Sequence, residues 1–329
     1  MTALLKSKGL LNFFPVPEYL LFYNCAIAVA DTAVRFVEFK RSFFKESFKL
    51  MHYEKVALPQ DTIQAGFINK PEELTRALRE LRQKHGLRYV YATLPEERAY
   101  LFSAIIEKVP TADLRDAVAF IIEENVPITL ADAVFDFNVV GEMKETNKLK
   151  VTVSVLSRKV VDFYVQVFEA AGLIPVSFDI ESQAISRAII KRGDKRTHLI
   201  TNLGEKKTGF YIVENEVVQF TTTLPYGTAG GSSHMNDLHS EMRKIFAFWD
   251  ARPEGSGKIE RILFCGPGAL DADFTRELVK EIQVEHLVAD PWINLQPECN
   301  TPTTNVSQEA MEYVPAAGLV LPRAIRHYV

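Results

Sequence analysis

Cysteine is scarce in this sequence: Cys25, Cys265 and Cys299 are the three present among 329 residues. A sparse, odd set excludes a disulfide framework and fits a reducing compartment. Cys25 and Cys265 sit in apolar, strand-like runs and read as small buried hydrophobes. Long apolar runs are missing as well, since none reaches the ~18–20 residues that cross a bilayer. The stretch Leu10–Tyr23 is rich in Leu and Phe, but Pro15 and Pro17 interrupt it and no small-residue cleavage site follows. It reads as an extended strap, within residues 1–24, packed on a first lobe. A membrane-surface anchor, favoured by the aromatics with Lys6 and Lys8, is the competing reading. Nor is there an excess of positive charge. The 38 Lys and Arg against 42 Asp and Glu leave a net charge of −4, with the basic residues scattered. That excludes the basic face a nucleic-acid partner needs.

Catalytic and metal constellations are equally thin. His234 and His239 are five apart at a helix start and diverge, so they make no zinc pair. Ser232 and Ser233 lie beside His234, but adjacency is not the geometry of a nucleophile and its base. Lys206-Lys207 reads as a solvated hairpin turn.

What the chain does have is a repeated pattern. Residues 25–40 and 198–220 each read as an apolar strand, a short polar turn and a second alternating strand, about 170 residues apart. Such spacing predicts a duplicated half. The chain is long enough for two lobes with separate cores. A strand is expected from Phe48 to Leu58, and a helix from Lys70 to His85 with Pro71 in its first turn and Gly86 at its end. Strands follow at Leu87–Leu94 and Tyr100–Ile106. A helix over 112–125 is capped by Thr111, and two strands come near 132–140 and 149–156. Further helices are expected at 158–171, 181–192, 234–250 and 271–282, with a strand at Arg261–Cys265 followed by Gly266-Pro267-Gly268. The expected domains are a discontinuous first lobe (1–60 and 156–225), an inserted α+β subdomain (61–155) and a shortened second lobe (226–329).

These pieces together resemble the PilM family of type IV pilus assembly, within the actin and FtsA superfamily. The resemblance rests on several runs of residues. They are Ala28–Phe39, Gly66-Phe-Ile-Asn-Lys-Pro-Glu-Glu-Leu74, Ala92-Thr-Leu-Pro95, Ile122–Asp136, Phe168–Pro175, Phe178–Arg187, Ile262–Gly268 and Ala316-Ala-Gly-Leu319. It implies an α/β, actin-like fold of duplicated halves with an inserted small α+β subdomain. In actin-like ATPases the two hairpins grip nucleotide phosphates through an Asp-x-Gly at the first turn of each. Here those turns read Ala28-Val29-Ala30 and Asn202-Leu203-Gly204, so both acids are gone. Mg²⁺ takes hard oxygen ligands, and phosphoryl transfer needs that metal positioned; Ala28 supplies no ligand and Asn202 only a carbonyl oxygen. No catalytic residue and no metal ligand is therefore expected.

The resemblance implies a cleft for ATP or ADP, with Mg²⁺ weak or absent, around Asp31, Thr32, Asn202, Gly204, Glu205, Gly266 and Gly268. Backbone N–H groups at the glycines could cradle phosphates without an acid. It further implies a cytoplasmic scaffold at the inner face of the cell membrane, held there by partners. Those partners are the N-terminal tail of a PilN-like single-span membrane protein and the pilus assembly ATPases. The wall of a peptide groove is expected at Leu94, Pro95, Leu101, Phe120 and Ile121. An active ATPase of the same fold and an FtsA-like polymerising protein remain alternatives. The terminal Arg323–Val329 is too short to be a durable amphipathic anchor.

Overall fold

Alternation of apolar and polar residues sets the first sheet. In the computed structural model, which describes residues 24–41, 48–143, 146–252, 257–295 and 307–322, β1 (Asn24–Val29) and β2 (Ala33–Arg41) form an antiparallel hairpin. Its register places Asn24 opposite Phe39 and Val29 opposite Val34. β3 (Phe48–Ala57) adds antiparallel to β2. A small hairpin of β4 (Ile63–Gln64) and β5 (Phe67–Ile68) leads to α1 (Pro71–His85). That helix carries Glu72 and Glu73 in its first turn, Arg82, Lys84 and His85 in its last, and Gly86 in the left-handed conformation as its cap. Each choice suits the helix dipole or the orphaned terminal carbonyls. β6 (Tyr89–Leu94) then pairs parallel with β1.

The next block is a small sheet of its own. β7 (Ala99–Glu107), the short helices α2 (Leu114–Phe120) and α3 (Ile122–Asn125), β8 (Ala133–Met143) and β9 (Lys148–Ser157) form an antiparallel sheet in the order β7-β9-β8. Leu114, Val118 and Ile122 close its core against Val151, Val153 and Val155. α4 (Arg158–Ala170) returns to the first lobe, where β10 (Ile174–Ile180) completes the five-stranded order β10-β6-β1-β2-β3.

After α5 (Glu181–Ile189) the pattern repeats. β11 (His198–Leu203), β12 (Thr208–Glu214) and β13 (Val217–Leu224) form an antiparallel meander. Following α6 (Met235–Asp250), β14 (Arg261–Cys265) joins β11 in parallel; after α7 (Ala272–Leu278), β15 (Glu285–Val288) joins β14. The resulting order, β13-β12-β11-β14-β15, is the first sheet's order read from the other end. The duplication read from the hairpins is thus a duplication of whole sheets.

Between the sheets lie α5 and α9 (Val314–Val320), reached through α8 (Gln308–Glu312). One side of this pair packs Ala184, Ala316 and Ala317 against Ala26, Val37 and Phe39 of the first sheet. The other sets Ile185, Ile189 and Val314 against Ile200, Val213 and Leu263 of the second. The outer faces are covered by α1 and α4 on one sheet and by α6 and α7 on the other. The expected stripe Met235, Leu238, Met242, Ile245 and Trp249 is indeed core.

Several expectations need correction. Strands 198–224 belong with 261–288, because β11 hydrogen-bonds β14, so the lobe boundary at 225 moves to the end of α5. Residues 61–98 belong to the first lobe, since β6 lies inside its sheet and Leu74, Leu78 and Leu81 fill its core; the insert is only 99–157. The helix over 112–125 is two short helices broken at Ile121, with Asp113 rather than Thr111 at the N-cap position. The expected helices 181–192 and 271–282 end earlier, at Ile189 and Leu278. The strap up to Tyr23, Cys299 and the tail from Arg323 lie outside the described residues.

Candidate functional site

The two hairpin turns face one cleft between the lobes. Its lining includes Ala28–Thr32 and Thr93 from the first sheet, and Asn202 and Gly204–Lys207 from the second. Glu181 at the start of α5, Gly266-Pro267 after β14, Arg35, Met311, Glu312 and Pro315 complete it. Ala28 is buried, and its methyl packs with Val37 and Phe39 where a carboxylate would be expected. The Val29 N–H donates to Thr93 Oγ1 at 2.9 Å, fixing the end of β1 on β6. Ala30 N–H is committed to the Ala33 carbonyl and Gly204 N–H to the Lys207 carbonyl. Gly266 has φ +82, and an added Cβ would stand 2.5 Å from Asn202 Oδ1, so no other residue fits there.

Charge in the cleft is paired internally. Lys207 Nζ lies 2.7 Å from Glu97 Oε1 and 3.5 Å from Glu181 Oε2. Burial by itself would lower the Lys207 pKa, but the Glu181 and Glu97 carboxylates outweigh it and hold the ammonium charged well above the usual range. The Asp31 carboxyl is raised, chiefly by burial and then by Glu97 and Glu181, against the pull of Lys207. Asn202 Nδ2 donates to Glu181 Oε1 at 3.5 Å, and the Tyr211 hydroxyl also bonds Asn202. At the cleft's other side Glu312 accepts from Arg35 at 2.9 Å and pairs with Lys55 at 2.7 Å. Burial would raise the Glu312 carboxyl, yet these two cations hold it below the usual range.

The open space left is about 80 Å³, against the ~300–1,000 Å³ of ordinary small-molecule sites. With no ligand at Ala28, two of the turn N–H groups engaged and Lys207 tied across the opening, the residues as arranged do not fit a Mg²⁺–nucleotide.

A second, larger concavity of about 450 Å³ lies on the outer side of the first lobe. Gly66, Phe67 and Ile68 form one wall; Lys159, Val160, Asp162, Phe163, Tyr164 and Gln166 of α4 form the other. Phe67 and Phe163 are exposed apolar rings, and the Arg98 guanidinium lies 3.3 Å from the Phe67 ring centroid. Tyr164 donates its hydroxyl to the Gly66 carbonyl at 3.3 Å, tying helix to turn. Gly66 has φ +78, and Pro95 Cβ lies 2.7 Å from where its Cβ would be, so Pro95 sits directly behind this rim.

A family model described as type IV pilus assembly protein PilM matches residues 26–238, about two thirds of the chain. The chain belongs to the PilM family. Among solved structures, the chain is similar to one from a PilM–PilN type IV pilus biogenesis complex, at TM-score 0.75 and 17% identity over 91% of this chain and 98% of that one. It also resembles the ethanolamine utilization protein EutJ from Carboxydothermus hydrogenoformans, at TM-score 0.52 and 12% identity over 93% and 90%. A third is the cytoplasmic domain of EpsL, an inner membrane component of the type II secretion system of Vibrio cholerae, at 0.51 and 10% over 92% and 97%. At these identities the likenesses establish the actin-like fold. No curated protein matches the chain in sequence.

Within this PilM-family fold, six of the seven expected nucleotide-side residues line the cleft: Asp31, Thr32, Asn202, Gly204, Glu205 and Gly266. Gly268 does not; it is buried against Leu203 and Thr228. Thr93, Glu97, Glu181 and Lys207 were not anticipated from sequence. Lys207, expected to be solvated, is instead held between two carboxylates and 22% exposed. Its signal was slight: the second of two adjacent lysines, three residues after Gly204 in the turn of the second hairpin. The expected peptide wall is dispersed. Leu94 and Pro95 lie behind the Gly66 rim, Leu101 packs on the second lobe's cluster, and Ile121 belongs to the insert's core. Phe120 is 83% exposed because α2 turns Leu114 and Val118 inward. Phe163 was the missed signal: an aromatic on α4 lying off the buried stripe of Tyr164, Val167 and Phe168.

Proposed function

We propose that the chain is a non-catalytic, actin-like scaffold of type IV pilus assembly that captures the cytoplasmic N-terminal tail of a PilN-like single-span membrane protein. Membership of the PilM family and the open, aromatic-rimmed groove between the Gly66–Ile68 turn and α4 support this reading. Among the described residues no helix is long and apolar enough to cross a membrane; in this reading the partner holds the chain at the inner face of the membrane. A groove with exposed aromatic anchors suits an extended segment with alternating apolar side chains. In that role the chain links the membrane platform to the assembly ATPases, and its own cleft contributes shape rather than turnover.

The test is binding of a ~10–15-residue Ile-Asn-Leu-Leu-Pro-type peptide to the full chain, with affinity expected near micromolar, about −8 kcal/mol. Truncating a central anchor typically removes more than ~1–2 kcal/mol, so Phe67→Ala and Phe163→Ala should each weaken binding about tenfold. Phe120→Ala and Leu101→Ala test the alternative wall on the insert. Absence of binding at high micromolar peptide would remove the proposal, and phosphate release from ATP above a heat-treated blank would remove its non-catalytic part.

A further inference from the structure

One end of the first lobe gathers cations beside exposed apolar side chains. α1 leads into β6 and α4 into β10, and β1, β6 and β10 run parallel, so two helix C-termini and three strand starts meet there, opposite the cleft. Arg79 donates to the Ala170 carbonyl at 2.9 Å, and Arg82 Nε lies 2.9 Å from where a Cβ on Gly172 would be. The Arg88 carbonyl accepts the Ile174 N–H at 2.7 Å, and the Arg88 guanidinium lies 5.2 Å from the centre of the Tyr89 ring. Ile174 stands opposite Tyr89 in the parallel register. Tyr89, Ile174 and Val176 are 42–48% exposed. The ion pairs on α1 join Arg76 to Glu73, and Lys84 and His85 to Glu54; among the described residues Arg79, Arg82 and Arg88 have no carboxylate partner. Favourable contact with terminal carbonyls accounts for a basic residue at a helix C-terminus. Lys40 and Lys49 need another reason. They are exposed and directly opposite across β2 and β3, one residue beyond Phe39, the partner of Asn24, and like charges so placed cost stability.

We propose that this end of the first lobe rests on the surface of an anionic bilayer, with the arginines and lysines at the headgroups and Tyr89, Ile174 and Val176 at the acyl boundary. Cations interleaved with aromatic and branched aliphatic side chains suit that interface, whereas a phosphate track of nucleic acid calls for cations without the aliphatic patch. The net charge of −4 hides the cluster, because folding collects cations that the chain spreads over residues 40–88. The segment before Asn24, with Lys6, Lys8 and the apolar run Leu10–Tyr23, joins the fold at this end. Ala26 pairs with Tyr91, which sets Asn24 level with Tyr89. Val29 and Thr93 lie at the far ends of β1 and β6, so the cleft faces away from the lipid. The inference does not rest on the tail-binding reading, since lipid alone is the ligand.

Co-sedimentation of the full chain with vesicles tests it, comparing phosphatidylcholine mixed with phosphatidylglycerol against phosphatidylcholine alone. Binding should require the anionic lipid and fall as salt rises. Each basic residue near such a surface is worth about fivefold in affinity. Arg88→Glu should therefore weaken binding at least about fivefold. Ile174→Ser/Val176→Ser should weaken it by a similar factor, because interfacial binding scales with buried apolar area. Both variants should melt near wild type. Phe163→Ala, on the groove, should leave vesicle binding unchanged. The fluorescence of Val176→Trp should shift to the blue on anionic vesicles. Equal binding to both kinds of vesicle would overturn the proposal. So would full binding by Arg88→Glu and by the Ser pair, which would assign the lipid contact to the N-terminal segment. Loss with Phe163→Ala would move the contact to the groove, and tighter, Arg88-dependent binding to duplex DNA would assign the patch to nucleic acid; either overturns it. Should the Ser pair misfold, the Val176→Trp spectrum decides: no blue shift with the chain bound to vesicles would overturn the proposal.

Discussion

Replacing Glu96 by Gln should make the protein more stable at pH 8 and leave it unchanged near pH 4.5. Glu96 is buried next to the cleft, where its Oε2 accepts the Ser182 N–H at 2.9 Å at the start of α5. The Thr221 side chain of β13 bonds it from the second lobe. Burial pushes its carboxyl up to about 7 from an ordinary 4.5; the Ser182 and Thr221 bonds pull it partly back, and Glu181 adds to the rise. A carboxyl whose pKa is higher folded than unfolded binds its proton more tightly in the native state. Stability is therefore penalised in full above the folded value, recovers as pH falls from about 7, and carries no penalty below about 4.5. At 1.36 kcal/mol per unit the penalty at pH 8 is roughly 2–4 kcal/mol. Gln keeps an oxygen for the Ser182 N–H and removes the charge. Urea unfolding of both proteins from pH 4.5 to 8 should give a difference that grows from near zero to ~2–4 kcal/mol in favour of the variant. A pH-independent difference, or a variant less stable at pH 8, would refute the buried-charge account.

Two further substitutions probe the packing and the cleft. At Gly318 on α9, an added Cβ would stand 1.7 Å from the Ala184 carbonyl oxygen of α5. The three nearest atoms are all Ala184 backbone, so Gly318→Ala must push the central helices apart and should cost about 3 kcal/mol; a melting temperature within a degree of wild type would contradict that close crossing. Asn202→Asp sets a second carboxylate against Glu181 in place of an amide donor. It should lose roughly 1–3 kcal/mol in EDTA, given the pair's partial exposure. Unchanged urea midpoints would mean that the Asn202 amide does not face Glu181. Calorimetry on Ala28→Asp/Asn202→Asp should show Mg²⁺-dependent ADP binding stronger than wild type once both acids are restored.

The sequence determined the elements and the repetition. Apolar alternation in 25–40 and 198–220 was enough to see two related hairpins. The caps of α1 and the stripe of α6 followed from periods and end residues that act within one or two turns of chain. The degenerate turns at Ala28 and Asn202 were equally visible, since they need only residue identity. Five of the cleft residues, Asp31, Thr32, Asn202, Gly204 and Glu205, lie at those turns and Gly266 at the turn after β14, and the family resemblance is what implied them.

What remained was decided by partners distant in the chain. A strand's alternation says which face is apolar but not which strand lies alongside, so the parallel pairing of β11 with β14 and of β1 with β6 alone could allocate 198–224 and 61–98 to their lobes. Lys207 looked like any exposed turn lysine. Its burial depends on Glu97, 110 residues away, and on Glu181 at the first turn of a helix from another lobe. The groove beside α4 likewise needed the Gly66 turn to close against Tyr164, a contact spanning 98 residues. Local sequence carries propensity and pattern, whereas convergence of charges and walls from separate segments exists only once the chain has packed, and that packing decided both the Lys207 ion pairs and the groove.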